Sequence, residues 1–306
     1  MAEIKLKAPG KINWTLDVIG KRADGYHQVE MLMQSIDLWD EVILRDSPSN
    51  PRSTGAPDIH IRGNSDKMPL DEGNLAVKAA RLVMDRFEIS RELEIKIEKN
   101  IPMEAGLAGG STNAAAVLVG LNALWHLGLS ISELTEMGTE LGADVPFCVI
   151  GGTAVARGIG EELQALTPLK GIWLVLVKPP FGMSTVAAYQ GLNLKSKTIY
   201  PDWKLAYELL KSGRLSELHR NLGNVLESVT EACHPEIGTI KNDMIQVGAL
   251  ASSMTGSGPT VFGIFPNFEA AHKVAKKFML HYEQVYTVST LDKGVDIIEG
   301  GFGTID

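Results

Sequence analysis

Cysteine, aromatic residues and long hydrophobic runs are all scarce in this sequence. The two cysteines, Cys148 and Cys233, form no CxxC pair and predict neither a disulfide framework nor a thiolate metal site. We expect both to be buried, in a protein of a reducing cytosol. No stretch reaches the ~20 apolar residues of a membrane span, and the first residues, MAEIKLKAPGK, lack the apolar core of a signal peptide. These absences predict a soluble, cytoplasmic protein without a membrane partner.

Positive charge is scarce as well. The 306 residues include 29 Lys and Arg against 37 Asp and Glu, which gives a net charge of −8. A surface that binds nucleic acid needs a basic face, so this balance argues against a nucleic-acid partner. The seven histidines form no HxxxH pair, and we therefore predict no protein-bound metal. No feature of the sequence indicates an obligate protein partner.

Glycine is the exception, with 31 residues, some of which fall in three short segments. The segments are APGKIN at 8–13, PMEAGLAGGSTN at 102–113 and TGSGP at 255–259. None contains GxxxxGKS/T or GxGxxG, and the chain has no HRD or DFG motif. These absences exclude the P-loop NTPases, the dinucleotide-binding Rossmann fold and the protein kinases.

The pattern of apolar residues predicts strands and helices without a regular βαβ alternation. We therefore predict an α+β protein of two layered domains, 1–163 and 164–306, joined by a polar segment. Asn74 is a predicted helix N-cap, and Ser130 forms a predicted capping box with Glu133. Strands are expected around 4–7, 41–44, 58–61, 93–97, 153–157, 172–177, 261–265 and 284–291, and helices over 74–87, 111–127, 130–142, 202–212, 214–222, 234–247 and 268–281.

The segment 102–113 joins a predicted strand to a predicted helix. Gly106, Gly109 and Gly110 would let backbone N–H groups point to one concave side, and the helix N-terminus adds its own free N–H groups. Ser111 begins the predicted helix, and its hydroxyl could cap the helix or approach a phosphate-bound Mg²⁺. The segment is therefore either a phosphate-binding loop or a tight strand-to-helix turn, and the residues alone leave both open.

Together the three glycine-rich segments resemble the GHMP kinase superfamily, which includes galactokinase, homoserine kinase and mevalonate kinase. They occur in the family's order and spacing over essentially the whole chain. The resemblance implies an N-terminal ATP-binding domain like ribosomal protein S5 and a ferredoxin-like C-terminal domain that contributes to substrate binding. It also implies an active site in the cleft between the two domains, with ATP as the phosphoryl donor.

Further segments make the resemblance more specific. They are GKRADGYH at 20–27, MQSID at 33–37, LGADVPF at 141–147 and KPPFGMST at 178–185. These segments are similar to members of the superfamily that use ATP to phosphorylate the 2-hydroxyl of a cytidine diphosphate-linked methylerythritol, in the non-mevalonate route to isoprenoid precursors. The resemblance therefore implies this small molecule as the substrate.

Phosphoryl transfer needs a cation near the transferred group and a carboxylate near the acceptor hydroxyl. Lys11, at a predicted bend between strands after Gly10, and Asp144, in a predicted loop, suit these roles. The resemblance implies that this pair is catalytic. Asp144 would be either the base that takes the proton or a group that only orients the hydroxyl, and the sequence leaves both open. The opposing interpretation is a surface lysine and an ordinary loop aspartate.

The resemblance also implies a cytosine site. Tyr26 and Tyr189 would stack on the two faces of the ring while His27 reads its edge, and stacking contributes about 1–3 kcal/mol per base. Asn13 and Thr185 would contact the diphosphate and the erythritol. Without the resemblance, the two tyrosines and the histidine would be read as ordinary packing residues.

For ATP, the resemblance implies Asn74 and Lys99 near the adenine, and the helix-capping role of Asn74 is compatible with this. The segment 255–259 would close beside the phosphates. Glu104 would repel a triphosphate, so we expect its side chain to point away. Mg²⁺ would be held mainly by the phosphates of ATP, with Ser111 or water. The candidates in the loop are Pro102, Met103, Glu104, Ala105, Gly106, Leu107, Ala108, Gly109, Gly110, Ser111 and Thr112.

Two alternatives stay open on the sequence. The chain could be another GHMP kinase that acts on a different alcohol, although a cytosine clamp of Tyr26 and Tyr189 would be useless for homoserine or mevalonate. It could also be a non-catalytic protein of the same fold that senses its ligand. The presence of both Lys11 and Asp144 argues for catalysis, since a sensor is free to lose them.

Overall fold

A computed structural model describes residues 2–48 and 59–300, so the first residue of the predicted strand 58–61 lies outside the described part. The first half is built on a large mixed sheet and the second on a small antiparallel sheet. The strands are β1 (Ala2–Lys21), β2 (His27–Pro48), β3 (Ile59–Gly63), β4 (Arg91–Glu98), β5 (Thr153–Arg157), β6 (Glu162–Ala165), β7 (Trp173–Lys178), β8 (Gly223–Asn224), β9 (Ala251–Met254), β10 (Val261–Phe265), β11 (Gln284–Ser289) and β12 (Asp296–Glu299). The α-helices are α1 (Leu75–Arg86), α2 (Gly109–Leu124), α3 (Ile131–Leu141), α4 (Val145–Ile150), α5 (Thr185–Gly191), α6 (Trp203–Lys211), α7 (Glu227–Cys233), α8 (Glu236–Gln246) and α9 (Phe268–Phe278).

The large sheet is built around β1 and β2, which pair antiparallel along most of their length. We expected a bend between separate strands after Gly10, but β1 continues through this point as one strand of 20 residues. The proline and the glycine are accommodated by a shift in register between Pro9 and Lys11, and two further shifts follow along the pair. Such irregularities bend and twist a strand without ending it.

Helices α1 to α4 pack together over this sheet, with α2 directly against β1 and β2. Two predicted helix starts are confirmed. The side chain of Asn74 accepts a hydrogen bond of 2.9 Å from the backbone N–H of Ala76 at the start of α1. Ser130 and Glu133 form the predicted capping box of α3. Helix α2 is apolar on nearly all sides because it is the buried central helix of the first half.

The small sheet has the strand order β11-β7-β10-β9, and all its pairs are antiparallel. Helix α8 precedes β9 and packs on β9 and β10, while α9 lies between β10 and β11 in the chain and packs on β7 and β11. This succession and strand order are those of a ferredoxin-like β-α-β-β-α-β unit. The apolar run 172–177 is confirmed as a buried central strand.

An apolar interface joins the two sheets. The rings of Trp14 in β1 and Phe262 in β10 meet edge to face, with their centroids 5.7 Å apart, and both side chains are fully buried. The chain also returns to the large sheet near its end, because β12 pairs antiparallel with β1. These contacts fix how the two halves sit on each other, while the domain boundary at residue 163 stays a prediction.

Two local predictions were wrong. Cys148 is buried as expected, but Cys233 is exposed, because α7 buries only Glu227 and Thr230 and its last residue faces solvent. The predicted helix over 214–222 is a short 3-10 segment, Leu215–Arg220. Within residues 2–48 and 59–300, no helix combines the length and the apolar character that crossing a membrane requires.

Candidate active site

A cleft of about 770 Å³ opens between the two halves, and the three glycine-rich segments meet along it. The backbone N–H of Lys11 donates to the carbonyl oxygen of Leu107 at 3.1 Å, which joins the first segment to the second. The backbone N–H of Asn13 donates to the hydroxyl of Thr255 at 2.9 Å, which joins the first segment to the third. The second and third segments touch at Gly106, where a Cβ would overlap the carbonyl oxygen of Thr255. Segments far apart in the sequence therefore form one wall.

Three residues of the loop that precedes α2 have left-handed backbone conformations. Glu104, Gly106 and Ala108 have φ values of 51°, 76° and 59°. Left-handed residues in a turn gather backbone N–H groups into concavities that bind anions. Only Gly106 was predictable as such a position, because Glu and Ala rarely adopt positive φ.

Helix α2 begins at Gly109 with Ala108 as its N-cap, so the predicted start at Ser111 was wrong. Of the two roles left open for the Ser111 hydroxyl, this start excludes the capping of α2. Gly109 lies at a close approach to the segment before the loop, because a Cβ there would lie only 3.0 Å from Lys99 Nζ and 3.1 Å from Ile101 Cγ2. Within the described residues, no side chain caps this helix, so its first N–H groups stay without a partner of that kind. These groups lie at the cleft wall, a favourable place for a phosphate.

Lys11 and Asp144 lie side by side in the cleft. Lys11 is only 4% exposed, and its Nζ donates to Asn13 Oδ1 at 2.8 Å and lies 3.8 Å from Asp144 Oδ2. Asp144 occupies the N-cap position of α4, whose second residue is Pro146. Its side chain is 33% exposed and, among the described residues, makes no capping hydrogen bond. A buried cation thus stands beside a carboxylate that is open to the cleft.

Three ring side chains line the same cleft: Tyr26, His27 and Tyr189. A tight turn places the first, because Arg22 N–H donates to the carbonyl oxygen of Tyr26 at 2.7 Å and Gly25 has a φ of 90°. Tyr26 is 61% exposed. The rings of His27 and Tyr189 stand 5.4 Å apart at an angle of 30°. The three residues predicted to bind cytosine therefore all line this cleft, and two of them, His27 and Tyr189, are in ring contact.

The surroundings further favour the uncharged form of two of these rings. Burial, and to a smaller extent the positive charge of Lys21, lowers the pKa of His27, so the neutral imidazole has one donor and one acceptor nitrogen. Burial, with a smaller effect from the charge of Asp144, raises the pKa of Tyr189, so its phenol stays protonated. The charge of Asp144 therefore reaches the ring of Tyr189.

Most of the other predicted residues also line the cleft. Thr185 does so, and its hydroxyl lies 3.0 Å from that of Ser257 in the third segment. The side chain of Glu104 lies against Gly182 in the second half. The remaining predicted residues at the wall are Asn74, Lys99, Pro102, Met103, Ala105, Gly106, Leu107, Ala108, Gly109, Gly110 and Ser111.

Two predicted residues do not reach the cleft. Thr112 is fully buried, because it lies in the first turn of α2 on the side that packs into the core. Asn13 is also buried, and its amide contacts Lys11 and the sulfur of Met31. Asn13 is therefore a partner of Lys11 in this structure and not a residue of the cleft wall.

Several residues of the wall had been assigned no role from the sequence. Val186 and Gln190 line the cleft from α5, each one residue after a predicted site residue, Thr185 and Tyr189. Helical spacing places 185 and 189, and likewise 186 and 190, on one face. That spacing was a usable signal once the segment was recognised as a helix. Lys21 was also missed, although it stands opposite His27 in the β1–β2 pair.

The comparison with known proteins matches both halves of the chain to one family. The family model for the N-terminal domain of GHMP kinases matches residues 74–152, and the model for the C-terminal domain matches residues 206–284. A 4-diphosphocytidyl-2-C-methyl-D-erythritol kinase of Clostridioides difficile (strain 630) is 47% identical over 298 residues, which cover 96% of this chain and 97% of that protein. A protein of the same name from Alkaliphilus oremlandii (strain OhILAs) is 45% identical, with 97% of this chain and all of that protein covered.

Solved structures resemble the whole chain. A crystal structure of a 4-(cytidine 5'-diphospho)-2C-methyl-D-erythritol kinase is 28% identical, with a TM-score of 0.80 over 94% of this chain and 99% of the other. Homoserine kinase from Cytophaga hutchinsonii shares the fold, with a TM-score of 0.76 at 21% identity over 97% and 98% of the two chains. The motifs, the two-domain fold and these matches agree that the chain belongs to the GHMP kinase family and is an ATP-dependent kinase.

Proposed function

We propose that this kinase transfers the γ-phosphoryl group of ATP to the 2-hydroxyl of 4-diphosphocytidyl-2-C-methyl-D-erythritol, in the non-mevalonate route to isoprenoid precursors. It would act on this small molecule in the cytoplasm without an obligate protein partner. Relatives of that name match nearly the full chain at 42–47% identity. The observation that carries the proposal is one cleft that holds both a Lys–Asp pair and the ring pair His27–Tyr189.

ATP would lie with its adenine near Asn74 and Lys99 and its phosphates against the loop 102–111. The first N–H groups of α2, which no side chain of the described residues caps, and the left-handed turns before them suit a triphosphate. Mg²⁺ prefers phosphate and water oxygens with only one or two protein ligands. The hydroxyl of Ser111 at the cleft wall fits that limited role, so the metal would be held mainly by ATP itself.

Asp144 would act as the base in the transfer. As the 2-hydroxyl oxygen bonds to the γ-phosphorus, its proton would pass to Asp144, and the bond between the γ-phosphorus and the oxygen that leaves with ADP would break. A separation of 3.8 Å from Lys11 is too long for a hydrogen bond, so the carboxylate oxygens stay available to the substrate hydroxyl. Lys11 would stabilise the charge on the transferred group, with Asn13 holding its Nζ in place.

The ring cluster would select the cytidyl group. Tyr26 and Tyr189 would stack on the cytosine, and neutral His27 would offer one donor and one acceptor to the edge of the base. Thr185 would contact the part of the substrate between the base and the reacting hydroxyl. A mevalonate or homoserine molecule would leave these rings unused, which separates this proposal from that of another GHMP kinase.

The proposal is tested by an ATP-consumption assay with the purified enzyme. The cytidyl substrate, homoserine and mevalonate are offered in parallel at equal concentration. We expect turnover with the first and none above background with the other two. Turnover of homoserine or mevalonate alone would establish the alternative, a GHMP kinase for a different alcohol.

A further inference from the structure

A completely buried carboxylate, Asp40, lies behind the loop to which we assign the phosphates of ATP. It projects from β2 and has no exposure to water. A buried charge is costly unless donors and an opposite charge satisfy it. The inference that follows rests on the proposed role of the loop 102–111.

Four donors converge on this carboxylate. Asp40 Oδ1 accepts from the backbone N–H of Asn100 at 2.7 Å and of Ile101 at 2.8 Å. Asp40 Oδ2 accepts from Asn113 Nδ2 at 2.9 Å and forms an ion pair with the Nζ of Lys99. The carboxylate is therefore fully occupied by protein and has no lone pair left for a ligand.

The four donors come from both ends of the loop. Asn100 and Ile101 immediately precede it, while Asn113 follows it in α2. Lys99 completes the ring of contacts, because its Nζ also donates to Asn113 Oδ1 at 3.1 Å. One carboxylate thus sets the distance between the end of the incoming segment and the start of the helix.

We propose that Asp40 is a positioning residue for ATP: it fixes both ends of the loop so that the backbone N–H groups between them meet the phosphates. The loop needs such support because Glu104 and Ala108 hold strained left-handed conformations. Strained backbone persists only where its surroundings determine it. Asp40 acts through the loop and does not touch the substrate.

The test compares kinetic constants of four variants with the wild type. Asp40→Ala removes the bridge but leaves Lys99 buried without its partner, which endangers folding. Asp40→Ala combined with Lys99→Met removes both charges, and Lys99→Met alone provides its reference. Asp46→Ala is the matched control, because Asp46 is a nearly buried carboxylate on the same strand that accepts from Arg91 and Trp125, away from the loop.

We expect the double variant to have a KM for ATP at least about tenfold above that of Lys99→Met, since a misplaced positioning group costs up to ~100-fold. The KM for the alcohol substrate should stay within about twofold. Asp46→Ala should lower the melting temperature and leave the KM for ATP unchanged. A purely structural role of Asp40 would lower stability in the same way, without the selective change in the KM for ATP.

Three results would overturn the inference. They are an unchanged KM for ATP in the folded double variant, an equal rise in KM in Asp46→Ala, and a double variant that cannot fold at all. Failure of the proposed loop site is recognised separately, by a Gly106→Ala variant whose affinity for ATP equals that of the wild type. In that case the loop does not bind the phosphates, whatever Asp40 does.

Discussion

The α-carbon of Gly106 packs directly against the carbonyl oxygen of Thr255, so closely that a side chain at this glycine would overlap that oxygen. The contact joins the loop of the first half to the glycine-rich segment of the second, at the wall of the cleft. Gly256 in turn packs against Gly106, because a Cβ at Gly256 would lie 2.7 Å from the carbonyl oxygen of Gly106. The two halves of the molecule thus touch through bare backbone beside the proposed ATP phosphates.

Replacement of Gly106 by alanine should therefore separate the two segments. We expect kcat/KM to fall by about 100-fold, because a displacement of this size in a positioning loop has such an effect. The measurement is steady-state kinetics together with calorimetric titration of ATP.

Gly213→Ala is the matched control for this substitution. Gly213 has a similar φ of 71°, but among described residues no heavy atom lies within 4 Å of the position of its Cβ. The Gly213→Ala variant should lose about 1–2 kcal/mol of stability through backbone strain. Its kinetic constants should equal those of the wild type. Equal kinetic losses in the two variants would show that the overlap with Thr255 is unimportant.

Asp144→Asn should lower kcat by at least about 100-fold, the usual contribution of a general base, while ATP still binds. Stopped assays and ATP titration measure the two effects. Asp202→Asn is a suitable control, because Asp202 also occupies a helix N-cap but caps α6 at the surface. An Asp144→Asn enzyme that keeps more than a tenth of the wild-type kcat would show that the carboxylate only orients the hydroxyl.

Tyr189→Leu combined with Tyr26→Leu should raise the KM for the cytidyl substrate by at least about 30-fold, since two lost stacking contacts of about 1–3 kcal/mol each sum to about 2 kcal/mol or more. The KM for ATP should stay within about twofold. Tyr200→Leu serves as the control, because Tyr200 is a highly exposed tyrosine that does not line the cleft. A similar rise in KM for both ligands would count against a specific cytosine clamp.

The pH dependence of substrate binding should follow the imidazole of His27. Its pKa is lowered by burial and by Lys21, so the neutral ring persists below the ordinary histidine value of about 6.5. The KM for the cytidyl substrate should rise only at lower pH, where the ring gains a proton and loses its acceptor nitrogen. Lys21→Met removes one cause of the shift, so it should raise the pKa and move the rise in KM to higher pH.

Two measurements check the direction of the His27 pKa shift and its effect on KM. NMR titration of the His27 ring protons should give a higher pKa in Lys21→Met than in the wild type. His27→Gln, which cannot be protonated in this range, should flatten the pH profile of KM. An unchanged or lower pKa in Lys21→Met would contradict the electrostatic influence of Lys21 on the ring.

Much of the fold follows from local patterns in the sequence. The alternating and continuous apolar runs predicted the positions of most strands, and the capping residues Asn74 and Ser130 marked two helix starts correctly. The predictions failed where tertiary contacts override a local signal. Gly10 reads as a break, yet pairing with β2 carries the strand through it.

The candidate site was likewise predicted only in part from the sequence. Motifs with fixed spacing predicted the three segments that meet at the cleft, and the resemblance they carry is confirmed by the family models. Ala108 and Asp40 were not predictable. Alanine gives no local sign of positive φ, and the importance of Asp40 depends on donors that lie about 60 and 73 residues away in the chain.

The pairing of β12 with β1 has a consequence for how this kinase is made. One edge of β1 receives its partner strand only when residues 296–299 leave the ribosome. At about 5–20 residues per second, that edge waits for roughly a quarter of a minute to a minute after β1 emerges. An open edge invites pairing with other chains, so we expect the first half to be open to such pairing until β12 is made.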